Sequence, residues 1–312
     1  LFSGRSGKMI RGNILTIGLS TIELRITTPY STGGNKKKLE ADKYKFSAGG
    51  RGATTSIGIS RLGWGSMLCT ALGDDMFGST YSRIFADERV ESRYIKVCRN
   101  AQTAINFSFE NKSGEIYIPS SSRFLNSTDI EASFNVMPDA VISTLELPFE
   151  LISTASRYAA GQNSKFILDA TGARSEADIS ALKYADIVVL SDENLSVLTG
   201  IDVRTIDDRM NGCIRLNSKL KIGYTVIDME EKGYYIYDGK YCNFIMPFDL
   251  PIVNVNGCRE AFLSALTVSF LQTEDINNSV TFAAAASAIA GNREGGFESL
   301  PTEREIRELL KR

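Results

Sequence analysis

The regular exchange of short apolar runs for amphipathic ones limits this chain's fold more than any other feature. ILTIG at 14–18 is an apolar run ending in glycine, the form of a buried first strand. ELRITTPYS and KYKFSAGG read as extended segments around a Gly/Lys loop. ATTSIGISRLG then places apolar residues three and four apart and stops at glycine, the pattern of a helix. SMLCTALG reads as a second buried strand and MFGSTYSRIFADERV as an amphipathic helix. INFSFE and EIYI alternate around a turn at Asn111–Gly114, which predicts a hairpin. Strands follow at 140–144, 165–170, 186–190 and 224–229, with candidate helices between them. GYYIYDGKYCNFIMP predicts a second hairpin turning at Asp238-Gly239. SVTFAAAASAIAG reads as a buried helix, and TEREIRELLKR opens on a Thr302/Glu305 capping box. Such alternation predicts an α/β fold with a mostly parallel central sheet covered on both faces, plus a small accessory sheet. Ligands in such folds sit at the carboxyl ends of the strands.

Residue usage removes several kinds of chemistry. The chain has no histidine, which excludes Ser-His-Asp and Cys-His catalysis and His-ligated metals. Acid–base work falls to Asp, Glu, Lys, Tyr or Cys. Its five cysteines are odd in number and lack CxxC spacing, against a disulfide framework or a zinc site and in keeping with a reducing cytoplasm. Balanced charge, 35 basic against 37 acidic residues, gives no sign of a nucleic-acid partner. The basic run Lys36–Lys38 reads as a solvated loop. No apolar segment is long enough to span a membrane. The first residues lack the apolar core of a signal peptide and read as a flexible segment over 1–12. Their GRSGK fails the Walker A spacing, because Phe2 stands where the first glycine belongs.

Three strings, in order and at the right distances, resemble the ribokinase-like (PfkB) carbohydrate and nucleoside kinases from about Asn13 onward. GGRGATTSIGISRLG at 49–63 is similar to the family's GGxGxN-helix-RLG signature, GDDMFG at 73–78 to its GxDxxG turn, and VNVNGCREAF at 253–262 to DTxGAGDxF. FAAAASAIA follows the last at the usual interval, and LTGI at 198–201 is a common family string. The resemblance implies one Rossmann-like, three-layer ribokinase fold over 13–312, with a β-sheet lid from about 21–48 and 98–120. It implies phosphorylation of a sugar or nucleoside hydroxyl by ATP with Mg²⁺, no resident protein metal site, and in some members a homodimer through the lids.

Residue by residue, the resemblance places the catalytic turn on Gly257, Cys258, Arg259 and Glu260. Glu260 stands where the family has its aspartate base and is one methylene longer. Arg259 replaces the last glycine, either as a phosphate ligand or as a side chain that pairs with a carboxylate and fills the pocket. The substrate side falls on Glu23, Gly49, Gly50 and Thr54, with Arg51 at a position the family usually gives to lysine or leaves variable. The nucleotide side falls on Ser191 and Asn194, in place of NxxE, and on Lys232 and Gly233, in place of GSxG. The scaffold strings persist while the chemical ones diverge. Two readings follow: a kinase with a divergent site, or a non-catalytic member that binds a metabolite or a protein partner.

Overall fold

Ile14 and Leu15 are adjacent in sequence yet belong to opposite hydrophobic cores. Successive side chains of a strand point to opposite faces, so a strand apolar on both faces must be covered on both. The computed structural model describes residues 12–28, 40–111, 114–119, 124–173, 175, 180–220 and 222–311. GRSGK, the Lys36–Lys38 run, most of the expected 1–12 segment and the centre of the 111–114 turn lie outside the described residues.

The chain runs β1 (Asn13–Ile17), β2 (Thr21–Thr27), β3 (Lys43–Gly49), α1 (Arg51–Arg61), β4 (Gly65–Gly73), α2 (Met76–Asp87), β5 (Ile95–Cys98), β6 (Ile105–Asn111) and β7 (Gly114–Ile118). It continues through α3 (Ser127–Ser133), β8 (Ala140–Thr144), α4 (Phe149–Gly161), β9 (Lys165–Asp169), β10 (Ile187–Ser191), α5 (Asp192–Thr199) and α6 (Ile206–Lys219). The last part holds β11 (Tyr224–Asp228), β12 (Tyr234–Tyr237), β13 (Cys242–Ile245), α7 (Cys258–Thr273), α8 (Ile276–Gly291) and α9 (Glu303–Leu309).

Nine strands form the central sheet in the order β13-β12-β11-β10-β9-β8-β1-β4-β5. All its pairings are parallel except β11–β12 and β12–β13, the hairpin expected at Asp238-Gly239. One core packs α1, α7 and α8 on one face of this sheet. The other packs α3, α4, α5 and α6 on the opposite face. From β1 the chain builds outward in both directions, so the order reverses between β1 and β8. A crevice opens at such a reversal, outside the carboxyl ends of the strands.

The accessory sheet has the order β3-β2-β6-β7. The two early excursions expected from sequence each pair antiparallel, β2 with β3 and β6 with β7, and a parallel β2–β6 pairing joins them. Register sorts its residues by face. Leu24, Phe46, Phe107 and Ile118 form one cross-strand row, and Ile26, Tyr44 and Phe109 form the next. Glu23, Ser47 and Asn106 make a polar row on the other face.

Candidate active site

Two helices begin at a glycine of positive φ. Gly50 (φ 84°) precedes α1 and Gly257 (φ 90°) precedes α7, and neither start has a side-chain cap. A Cβ at Gly50 would lie 2.6 Å from the Leu19 carbonyl oxygen, and one at Gly257 would lie 2.7 Å from that of Gly296. Only glycine suits such positions. The positive end of the helix dipole at such a start favours a negative charge. Each start also carries an arginine in its first turn, Arg51 and Arg259.

Both arginines turn toward the strand ends. Arg51 Nη1 donates to Asp169 Oδ2 (3.1 Å), Thr171 Oγ1 (2.8 Å) and the Thr171 carbonyl (3.2 Å). Its Nε lies 3.4 Å from Glu146 Oε1. Arg259 Nη1 and Nη2 lie 3.8 Å from Asp169 Oδ1 and 3.7 Å from Asp228 Oδ2, ion-pair distances beyond a good hydrogen bond. Arg259 Nη1 is buried with no hydrogen-bond partner. An unmade bond at a buried donor costs about 1–3 kcal/mol, so this atom is poised for an acceptor.

Two arginines thus face four carboxyl groups, Glu146, Asp169, Asp228 and Glu260. Burial raises the Glu260 pKa above the usual range; Arg51, the residue's own backbone N–H and Arg259 pull it back. Burial likewise raises Glu146, which Arg51 stabilises and Asp169 and Glu260 oppose. A carboxyl group with an elevated pKa is a better proton acceptor than a free one once ionised. The Glu260 backbone is fixed against α1: Ser264 Oγ bonds the Glu260 carbonyl (2.6 Å) and lies 3.0 Å from that of Thr55. Gly58 allows this crossing, since a Cβ there would lie 2.4 Å from Ser264 Oγ.

On the accessory-sheet side, Glu23 Oε1 accepts from Thr21 Oγ1 (2.9 Å) and Asn106 Nδ2 (2.8 Å). Burial raises its pKa, and those two bonds lower it. A Cβ at Gly49 would sit 2.6 Å from Glu23 Cγ, so glycine there gives the glutamate its room. The sheet roots are held by Tyr81 of α2, whose fully buried hydroxyl accepts from Gly49 N–H (2.7 Å) and reaches the Thr21 carbonyl (2.7 Å).

The model for pfkB family carbohydrate kinases matches residues 11–303. This chain belongs to that family. The pfkB-family chain is 23% identical over 303 residues to a deoxyribokinase of Salmonella typhi, covering 96% of this chain and 98% of that protein. It is 29% identical over 311 residues to fructokinase-1 of Zea mays, covering 88% and 91%. Its fold is similar to the structure of Arabidopsis thaliana ribokinase complexed with ribose and ATP, with a TM-score of 0.87 at 18% identity over 96% of this chain and 99% of that one. The ribokinase fold expected from the three strings is therefore present.

The residues singled out from sequence in this pfkB-family chain fall into three groups. Glu260 and Arg259 share the strand-end cluster, with Gly257 and Cys258 at the start of α7. Cys258 packs against Gly291, and burial pushes its thiol up to about 11, away from nucleophilic use. Glu23, Gly49 and Gly50 cluster at the root of the accessory sheet, while Thr54 is buried within α1. Ser191 and Asn194 bond each other in the capping box of α5. Lys232 and Gly233 shape the turn between β11 and β12, where Gly233 (φ 97°) donates to the Glu230 carbonyl.

Sequence reading missed Glu146, Asp169, Asp228, Asn106 and Tyr81. Asp169 and Asp228 had a visible signal, since each is the last residue of an apolar strand run, KFILD and YTVID. A carboxylate ending a buried parallel strand stands at the crevice. Asn106 and Tyr81 had none, because their partners come from distant parts of the chain.

Proposed function

We propose that this chain transfers the γ-phosphoryl group of ATP to a hydroxyl of a small sugar or nucleoside. The observation that carries this is the start of α7: a half-buried Glu260 and an Arg259 Nη1 with no hydrogen-bond partner, both at a helix N-terminus without a side-chain cap in the crevice. Glu260 takes the proton of the attacking hydroxyl, the new P–O bond forms, and the bond to the departing ADP breaks. Arg259 donates to the phosphoryl oxygens at the positive end of the α7 dipole. Glu23, with Gly49 and Gly50, holds substrate hydroxyls from the accessory sheet, which acts as the lid. The nucleotide phosphates lie toward the ends of β10 and β11, by Ser191, Asn194, Lys232 and Gly233.

Among the described residues no group of three or more His, Cys, Asp or Glu side chains is placed to hold a metal ion. Mg²⁺ would come carried on the nucleotide, since this ion is commonly held by one or two carboxylates plus phosphates. When bound it neutralises phosphate charge, which a cleft richer in carboxylates than arginines would otherwise repel. The deoxyribokinase and fructokinase relatives support a sugar as acceptor.

Calorimetry with Mg-ATP, followed by ADP release over a panel of pentoses, hexoses and nucleosides, tests this reading. Micromolar binding with acceptor-dependent ADP release is the expected result. No binding at millimolar Mg-ATP would sink it. The competing reading is a non-catalytic binder, and the ion pairs of Arg259 with Asp169 and Asp228 are the observation in its favour. Activity that appears only in the double variant Arg259→Gly, Glu260→Asp would establish that alternative.

The apolar face of the lid supports pairing of two copies. Tyr44 is 72% exposed, Phe46 49% and Ile118 50%. Sedimentation of wild type against Tyr44→Ser, Phe46→Ser tests it, with loss of a dimer expected. The five free cysteines suit a reducing cytoplasm. Among the described residues no helix is long and apolar enough to cross a membrane.

A further inference from the structure

Asp169 ends β9 and is fully buried. Its Oδ1 accepts from the Thr171 N–H (3.0 Å) and hydroxyl, and lies 3.8 Å from Arg259 Nη1. Its Oδ2 accepts from Arg51 Nη1 at 3.1 Å. One buried carboxylate therefore sits between the arginines of both glycine-led helix starts. Beyond Asp169 the two diverge, Arg51 toward Glu146 and Arg259 toward Asp228. A buried charge must be compensated, and removing a partner throws the load onto those that remain. Charges that share a partner are not independent.

We propose that Asp169 is a positioning residue that couples the two arginines, so that events at Arg51 and Glu146 change how freely Arg259 can meet a phosphate. The names of the two sides rest on the kinase reading; the coupling itself rests on the three side chains. Its sign follows from charge. With Arg51 removed, Asp169 keeps the neutral Thr171 donors but only the charge of Arg259 from this arginine pair, so Arg259 is held more firmly and is less available to an anion.

Arg51→Gln is therefore expected to weaken Mg-ATP binding by about threefold or more, although Arg51 lies against Glu146 and not at the start of α7. Arg51→Lys, which keeps the charge, restores part of it. In an Asp169→Asn background the same Arg51→Gln change leaves the Kd within about twofold. An unchanged Kd in the natural background, or an equal shift in both backgrounds, overturns the proposal. If Asp169→Asn does not fold, the Arg51→Gln/Arg259→Gln double-mutant cycle decides alone, and additive shifts overturn the coupling. If wild type binds no Mg-ATP at millimolar concentration, the kinase reading fails. The same cycle is then read on thermal unfolding midpoints, where non-additive losses support the coupling and additive losses refute it.

Discussion

The GDDMFG turn and the crevice treat their charged side chains in opposite ways. In the turn, Asp75 Oδ1 accepts from Gly78 N–H (2.9 Å) and the Thr103 hydroxyl (2.8 Å), and Oδ2 accepts from Thr103 N–H (2.8 Å). Burial opposes that carboxylate, and these bonds together outweigh it and hold its pKa below the ordinary value. Asp74 beside it accepts from the Asn100 and Ala101 N–H groups. In the crevice, Arg259 stands at 3.7–3.8 Å from two carboxylates and leaves one donor without an acceptor. Saturated polar groups fix a scaffold; unsaturated ones retain bonding capacity that a ligand can use.

The sharpest way to test that contrast is Glu260→Gln. It keeps the size of the side chain and removes the proposed proton acceptor, so turnover is expected to fall by about 10²–10⁴-fold while the far-UV spectrum is unchanged. The pH profile gives the next effect. As the proposed base, Glu260 must be ionised to take a proton, and burial raises its pKa above the ordinary 4.5. The rate therefore falls as pH drops through a value above 4.5, and Arg51→Gln, which removes the leading counter-charge, shifts that limb to higher pH. A limb at or below the ordinary glutamate value would show that Glu260 is not the base.

Changes in the scaffold move stability instead. Gly50→Ala forces a Cβ to within 2.6 Å of the Leu19 carbonyl oxygen at φ 84°, and a loss of about 1–3 kcal/mol is expected in urea titration. Asp75→Ala removes the cap of α2 and the tether to Thr103, with an expected loss of about 1–2 kcal/mol. The smallest effect belongs to Glu305, held by the Thr302 hydroxyl and amide and by Arg293. Burial opposes its charge, but these partners take its pKa from 4.5 down to about 2. A depressed carboxylate stabilises the fold above its unfolded pKa and loses that contribution as pH falls through the folded one. The advantage of wild type over Glu305→Gln in thermal midpoint should thus be full above pH 4.5 and fade toward pH 2.

Much of the fold was legible because local patterns and tertiary demands agree. The apolar strand runs, RLG ending α1, the capping box at Thr302 and the Asp238-Gly239 hairpin need only neighbouring residues to be read. The candidate site was legible where a glycine signals a backbone requirement, at Gly50 and Gly257. It was less so where function depends on who meets whom. Arg51 and Arg259 are 208 positions apart in sequence, yet both lie against Asp169. Asn106 meets Glu23 through the parallel β2–β6 pairing, which no turn or hairpin signal encodes.

Tyr81 sets a mechanical scale. Its hydroxyl grips both Thr21 and Gly49, the first residue of β2 and the last of β3, so a swing of the four-stranded sheet that keeps these bonds would turn about that point. β2 extends about 20 Å beyond that point at about 3.3 Å per residue. A rotation of about 10° about this point would displace the far end of the strand by about 3.5 Å, roughly one layer of atoms. Such a swing would barely move Glu23, two residues from the buried phenol's grip, while it swept Ile26 and Tyr44 through most of that distance.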